Sequence, residues 1–102
     1  MPGWVRMATL DELAVGQAKE VEHDGRVYAL FNIGGTISAV DGICPHQGGP
    51  IVDGPVSGTC VTCPWHGWQF DVTTGATPTN KKLKLPVFEV RIQDNDVLVA
   101  VP

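Results

Sequence analysis

Val27, Ala29, Phe31 and Ile33 alternate with Tyr28, Leu30 and Asn32 across residues 26–33. A period of two sends successive side chains to opposite faces of a strand. Here both sets are largely apolar, so this strand is expected to be covered on much of both faces. Shorter runs at 17–22 and 36–40 flank it. His23-Asp24-Gly25 and Gly34-Gly35 separate the three with tight-turn chemistry. Near the C-terminus Phe88, Val90 and Ile92 alternate with Glu89 and Arg91, which predicts one half-buried strand. Asp94-Asn95-Asp96 turns the chain, and 97–101 returns as its hairpin partner. The one helical signal is Thr9-Leu10-Asp11-Glu12-Leu13, with Thr9 as N-cap and Glu12 three residues on, and it predicts a single turn.

Between Asp41 and about Asn80 the periodic runs shorten and glycines and prolines multiply. No repeat, linker or low-complexity tract breaks the chain. The pattern predicts one all-β domain over 1–102: a β-base from residues 1–41 and 76–102, carrying an inserted, loop-rich subdomain at about 42–75. At 102 residues the core is modest, because a domain of this size buries only about two-thirds of its unfolded surface. A metal centre in the insert would therefore help to hold it.

Composition narrows the function. A hydrophobic content of 43% with a net charge of −4 fits a folded, soluble chain. The acidic balance argues against binding nucleic acid through its phosphates. The only basic cluster, Lys81, Lys82 and Lys84, reads as a solvated loop. No apolar run approaches the ~20 residues of a membrane helix. The N-terminal residues lack the basic and apolar regions of a signal peptide, so a cytoplasmic location without membrane contact is expected.

The chemistry sits in two short pairs inside the insert, Cys44-Pro45-His46 and Cys63-Pro64-Trp65-His66, with sixteen residues between His46 and Cys63. Each pair is compact enough for one loop to present both side chains to one small object. Two thiolates and two imidazoles complete the shell of a structural zinc or of a [2Fe–2S] cluster whose second iron is held by histidines. Zinc fingers usually pair like with like, C-x₂₋₄-C and H-x₃₋₅-H, and C-x-H is too tight a bite for that pattern. Cys60-Val61-Thr62-Cys63 matches the C-x-x-C redox motif, but without the βαβ context that gives the motif its meaning. The spacing favours the cluster, with zinc and a dithiol as rivals. Gly48, Gly49 and Gly67 allow backbone N–H groups to approach the cluster sulfurs, and Pro45 and Pro64 stiffen the loops. With Cys44 and Cys63 as ligands, Cys60 is left over, and its short apolar run reads as a strand with a buried, inert thiol.

The stretches Cys44-Pro45-His46 and Cys63-Pro64-Trp65-His66-Gly67-Trp68-Gln69-Phe70-Asp71 resemble the two cluster-binding boxes of the Rieske [2Fe–2S] family, and the likeness covers nearly the whole chain. It implies three small antiparallel sheets and one [2Fe–2S] cluster. It further implies Cys44 and Cys63 on one iron, and His46 and His66 on the other, near the protein tip. High-potential members resemble C-T-H-L-G-C and C-P-C-H-G-S-x-Y, with a disulfide between the loops. Here the disulfide positions are Gly49 and Trp65, and the hydrogen-bonding serine and tyrosine are replaced by Trp68 and Phe70. A potential at the low end of the Rieske range is expected.

The resemblance therefore implies a one-electron carrier, not a catalytic subunit, between a flavin-dependent reductase and a terminal oxygenase. The alternative is the small Rieske subunit of an NAD(P)H-dependent nitrite reductase, bound to its large flavin and sirohaem subunit. Trp65 is read as docking surface or packing, Trp68 as packing, His23 as a solvated turn residue and Asp71 as a turn residue. Pro78 is a candidate third wall over the cluster.

Overall fold

A computed structural model describes residues 3–43, 48–65, 67–77 and 84–101. The strands are β1 (Gly3–Thr9), β2 (Ala18–His23), β3 (Arg26–Ile33), β4 (Thr36–Asp41), β5 (Val56–Ser57), β6 (Cys60–Thr62), β7 (Gln69–Asp71), β8 (Val87–Phe88), β9 (Val90–Gln93) and β10 (Asp96–Val101). They form three antiparallel sheets, ordered β1-β10-β9, β2-β3-β4-β8 and β5-β6-β7. The expected all-β, three-sheet architecture is what the structure shows.

The two-sided apolar strand explains the layering. Tyr28 and Leu30 of β3 face one core with Ala39, Met7, Leu13, Val97 and Val99. Ala29 and Phe31 face the other with Val40, Ile51, Val61, Cys63, Phe70, Val72 and Leu85. The four-stranded sheet is thus the middle layer. The sheet of both chain ends covers one face, and the three short strands cover the other. Asp24 and Gly25, then Gly34 and Gly35, all take positive φ, the handedness that lets two-residue hairpins follow the strand twist.

The helical signal becomes a 3₁₀ turn at Leu10–Glu12. Glu12 Oε1 accepts from the Thr9 backbone N–H at 2.9 Å, while Lys19 Nζ donates to Oε2 at 2.9 Å. These bonds, Lys19 first, hold the Glu12 carboxyl below its ordinary value.

Two elements differ from expectation. The predicted strand through Phe88, Val90 and Ile92 is split at Glu89. Val87–Phe88 pairs with β4, and Val90–Gln93 pairs with β10 in another sheet. β1 was not anticipated. Its register shifts between Arg6 and Ala8, so consecutive Met7 and Ala8 are both buried and the alternation is lost.

Candidate metal centre

Both loops that carry the Cys–His pairs are pinned at their roots. At the first, Gly42 N donates to Val27 O at 2.9 Å, Ile51 N donates to Gly42 O at 3.0 Å, and Ile43 bridges Pro50. A β-carbon on Gly42 would lie 2.5 Å from Val27 Cγ1, so any larger residue at this root would have to displace the Val27 side chain. Buried Ile51 then fixes the returning chain in the core that also contains Cys63.

At the second, β6 and β7 pair through Thr62 and Gln69, and Cys63 N donates to Trp68 O at 2.6 Å. Cys63 is 1% exposed. Gly48 and Gly67 have φ of 76° and 74°, turning each loop where a side chain would be strained. Phe70 is fully buried, with Trp68 half-buried beside it, ring centroids 6.5 Å apart and 31° between planes. Trp68 is therefore packing, as expected. Trp65 is 50% exposed.

Asp71, expected as a turn residue, is the last residue of β7 and caps the turn that follows. Its Oδ1 accepts from the Thr73 N–H at 2.8 Å and the Thr73 hydroxyl at 2.5 Å, and its Oδ2 accepts from the Thr59 hydroxyl at 3.2 Å. Thr73 foremost holds this carboxyl below its usual value. Cys60 differs from expectation. It is a free thiol, but half-buried, because its short strand lies in the outermost, smallest sheet. His23 is a half-buried strand end beside its turn.

Of the expected ligands, Cys63 lies among the described residues. Cys44, His46 and His66 lie outside them, as do Pro45, Gln47, Pro78, Lys81 and Lys82. Among the described residues no three His, Cys, Asp or Glu side chains group around a metal position. The donor set still fits an iron–sulfur cluster. Cys63 offers a soft sulfur at a pinned, buried position, and the first loop passes it as bare backbone: a β-carbon on Gly49 would lie 2.9 Å from Cys63 Sγ.

Residues 3–89 match the model of the Rieske [2Fe-2S] domain. The chain belongs to the Rieske [2Fe–2S] family. Its cofactor is accordingly a Rieske-type [2Fe–2S] cluster. A relative of similar length is the ferredoxin component of naphthalene 1,2-dioxygenase/salicylate 5-hydroxylase systems from Ralstonia sp., 33% identical over 99 residues, covering 94% of this chain and 93% of that one. Cholesterol 7-desaturase nvd 1 of Ciona intestinalis is 38% identical over 88 residues, but this chain spans only 19% of its length. Among solved structures, a chain in the complex of reduced oxygenase and oxidized ferredoxin in carbazole 1,9a-dioxygenase superposes with a TM-score of 0.88 at 27% identity, covering 95% of this Rieske chain and 92% of that one. A protein assigned as the NADH-dependent nitrite reductase small subunit of Mycobacterium tuberculosis shares the fold, with a TM-score of 0.89 at 24% identity over 100% and 97% of the two chains.

One feature of the Rieske site escaped the sequence reading as a contact. Gly49 and Trp65 stood out only as positions where other members carry a disulfide, yet they touch each other beside the Cys63 sulfur.

Proposed function

We propose that this Rieske chain is a one-electron carrier that passes electrons from a flavin-dependent reductase to a terminal oxygenase. The observation that carries the reading is the near-complete mutual coverage, 94% and 93%, with a ferredoxin component of a dioxygenase system. That relative is a separate electron-transfer component, and the likeness runs over 99 residues of this chain. The nitrite reductase alternative is supported by likeness of fold alone.

In this reading Cys44 and Cys63 hold one iron, and His46 and His66 hold the other. Two ferric ions, two sulfides and two thiolates sum to zero charge with neutral imidazoles, so the cluster accepts an electron more readily than one with four thiolates. Residues 42–75 form the cluster-binding part, and 1–41 with 76–102 the base. The rigid roots at Gly42, Ile51 and Cys63 support this division. The cytoplasm is the proposed compartment. No helix among the described residues is long and apolar enough to cross a membrane.

The test is reconstitution. The purified chain, with its visible and EPR spectra recorded, is mixed with a flavin reductase and an aromatic-ring oxygenase. Reductase-dependent reduction followed by oxygenase turnover supports the reading. Turnover of nitrite by a flavin–sirohaem subunit, with none by an oxygenase, would replace it.

A further inference from the structure

Two side chains converge on Gly49. A β-carbon there would lie 2.8 Å from Trp65 Cγ, 3.1 Å from Trp65 Cβ and 2.9 Å from Cys63 Sγ. Gly49 is itself buried, and its backbone is not left-handed. Glycine is therefore required here for space rather than for conformation. The atoms it makes room for are the root of the Trp65 side chain, not a flexible tip that could swing away. Trp65 is nevertheless 50% exposed, so its root seats on the first loop while much of its ring remains in solvent.

We propose that Gly49 and Trp65 form a non-covalent latch. The base of the Trp65 side chain, seated on Gly49, holds the two cluster loops together and covers the Cys63 sulfur. Both are positioning residues, acting through Cys63. The 3.1 Å between the built Gly49 β-carbon and Trp65 Cβ is just below the ~3.5–4.5 Å that a disulfide spans between β-carbons. The two loops are thus already at cross-linking distance, held by contact instead of sulfur. Such a latch does not open when thiols are kept reduced. The Cys63 sulfur and the root of Trp65 meet the first loop at the same residue, Gly49.

The inference rests on Cys63 being a cluster ligand, and the experiment separates the two claims. Holo-protein is challenged with an iron chelator at neutral pH, and loss of visible absorbance gives the cluster half-life for wild type, Trp65→Ala, Trp65→Phe, Gly49→Ala and the double variant G49C/W65C. Trp65→Ala and Gly49→Ala are expected to shorten the half-life about tenfold, equivalent to about 1.4 kcal/mol. Trp65→Phe, which keeps an aromatic root on Gly49, should stay within about twofold of wild type. The double variant should cross-link on mild oxidation, read as loss of both introduced thiols by mass on the denatured chain. That measurement needs no cluster. Cross-linking should restore the half-life until a dithiol reductant is added. Wild-type half-lives for Trp65→Ala and Gly49→Ala, or no cross-link, would overturn the latch. If Cys63→Ser kept the native spectrum, the ligand reading would fall, while the cross-link would still judge the contact.

Discussion

At the scale of single residues, Trp68 and Phe70 stand at the two positions where other members of the family carry a hydrogen-bonding serine and tyrosine. Phe70 is fully buried, and Trp68 packs beside it. A hydrogen bond to a cluster sulfur stabilises the extra negative charge of the reduced state, so its absence lowers the potential. The midpoint at neutral pH is expected near about −150 mV, the low limit for Rieske centres. One hydrogen bond contributes about 1 kcal/mol, and about 1.4 kcal/mol corresponds to 59 mV for one electron. Phe70→Tyr should therefore raise the midpoint by about 40 mV, measured by redox titration of the EPR signal. A wild-type midpoint well above zero would contradict this account. The two cysteines of β6 and its following turn make a second contrast. Cys60 lies half-buried in the strand, opposite Ser57 and Asp71, whereas Cys63 is buried in the core. Cys60→Ser should leave the visible spectrum unchanged, and Cys63→Ser should abolish or strongly alter it.

At the scale of elements, legibility followed the locality of the pattern. β3 and its two hairpin turns were readable because alternation and turn residues are consecutive in the chain. β1 was not, because its bulge puts Met7 and Ala8 in the core together. β8 and β9 read as one strand because the apolar parity runs on through Glu89, and nothing local records that the chain changes sheets there. The two Cys–His pairs and the family they point to are consecutive in the chain, and the family match over residues 3–89 agrees with that reading. The contact of Gly49 with Trp65 was not legible, since it depends on two loops meeting in space. The root of the first loop depends on such an approach too. Gly42→Ala would place a methyl 2.5 Å from Val27 Cγ1, against a strand buried on both faces. It should destabilise the fold by about 1–3 kcal/mol in denaturant titration. Asp71 adds a pH dependence. Its folded carboxyl lies below the ordinary value, chiefly through the Thr73 hydroxyl, so its stabilisation is present above the unfolded value and is lost as pH falls through the folded one. The stability gap between wild type and Asp71→Asn should therefore narrow on acidification across the carboxylate range. A gap constant with pH would show that the Asp71 hydrogen bonds do not favour the ionised form.

At the scale of the molecule, the proposed ligand assignment implies a route for the electron. In the ligand assignment proposed above, each of His46 and His66 uses one ring nitrogen for iron, and the other is the shortest way out of the cluster. The second loop presents exposed Pro64, Trp65 and Gly67, and the first presents exposed Ile43 and Gly48, none of them charged. A partner meeting this end finds little charge to desolvate, which suits a brief redox encounter of under about 1,200 Å². Charge stands at the root of the first loop and just beyond it. The chain is net −4, with Asp53 exposed and Asp41 weakly offset by Arg26 at 3.8 Å. Such a field steers a basic rim on the partner and is screened by salt. Raising ionic strength should therefore slow the second-order reaction with the reductase or oxygenase. Gln47→Glu, placing a charge beside His46 in the chain, should slow electron transfer at every salt concentration while leaving the cluster spectrum nearly intact. Stopped-flow reduction and reoxidation with the true partner measures both effects. Wild-type rates for Gln47→Glu would mean that the partner does not dock over the histidine loops, and the electron would then have to leave through the body of the domain.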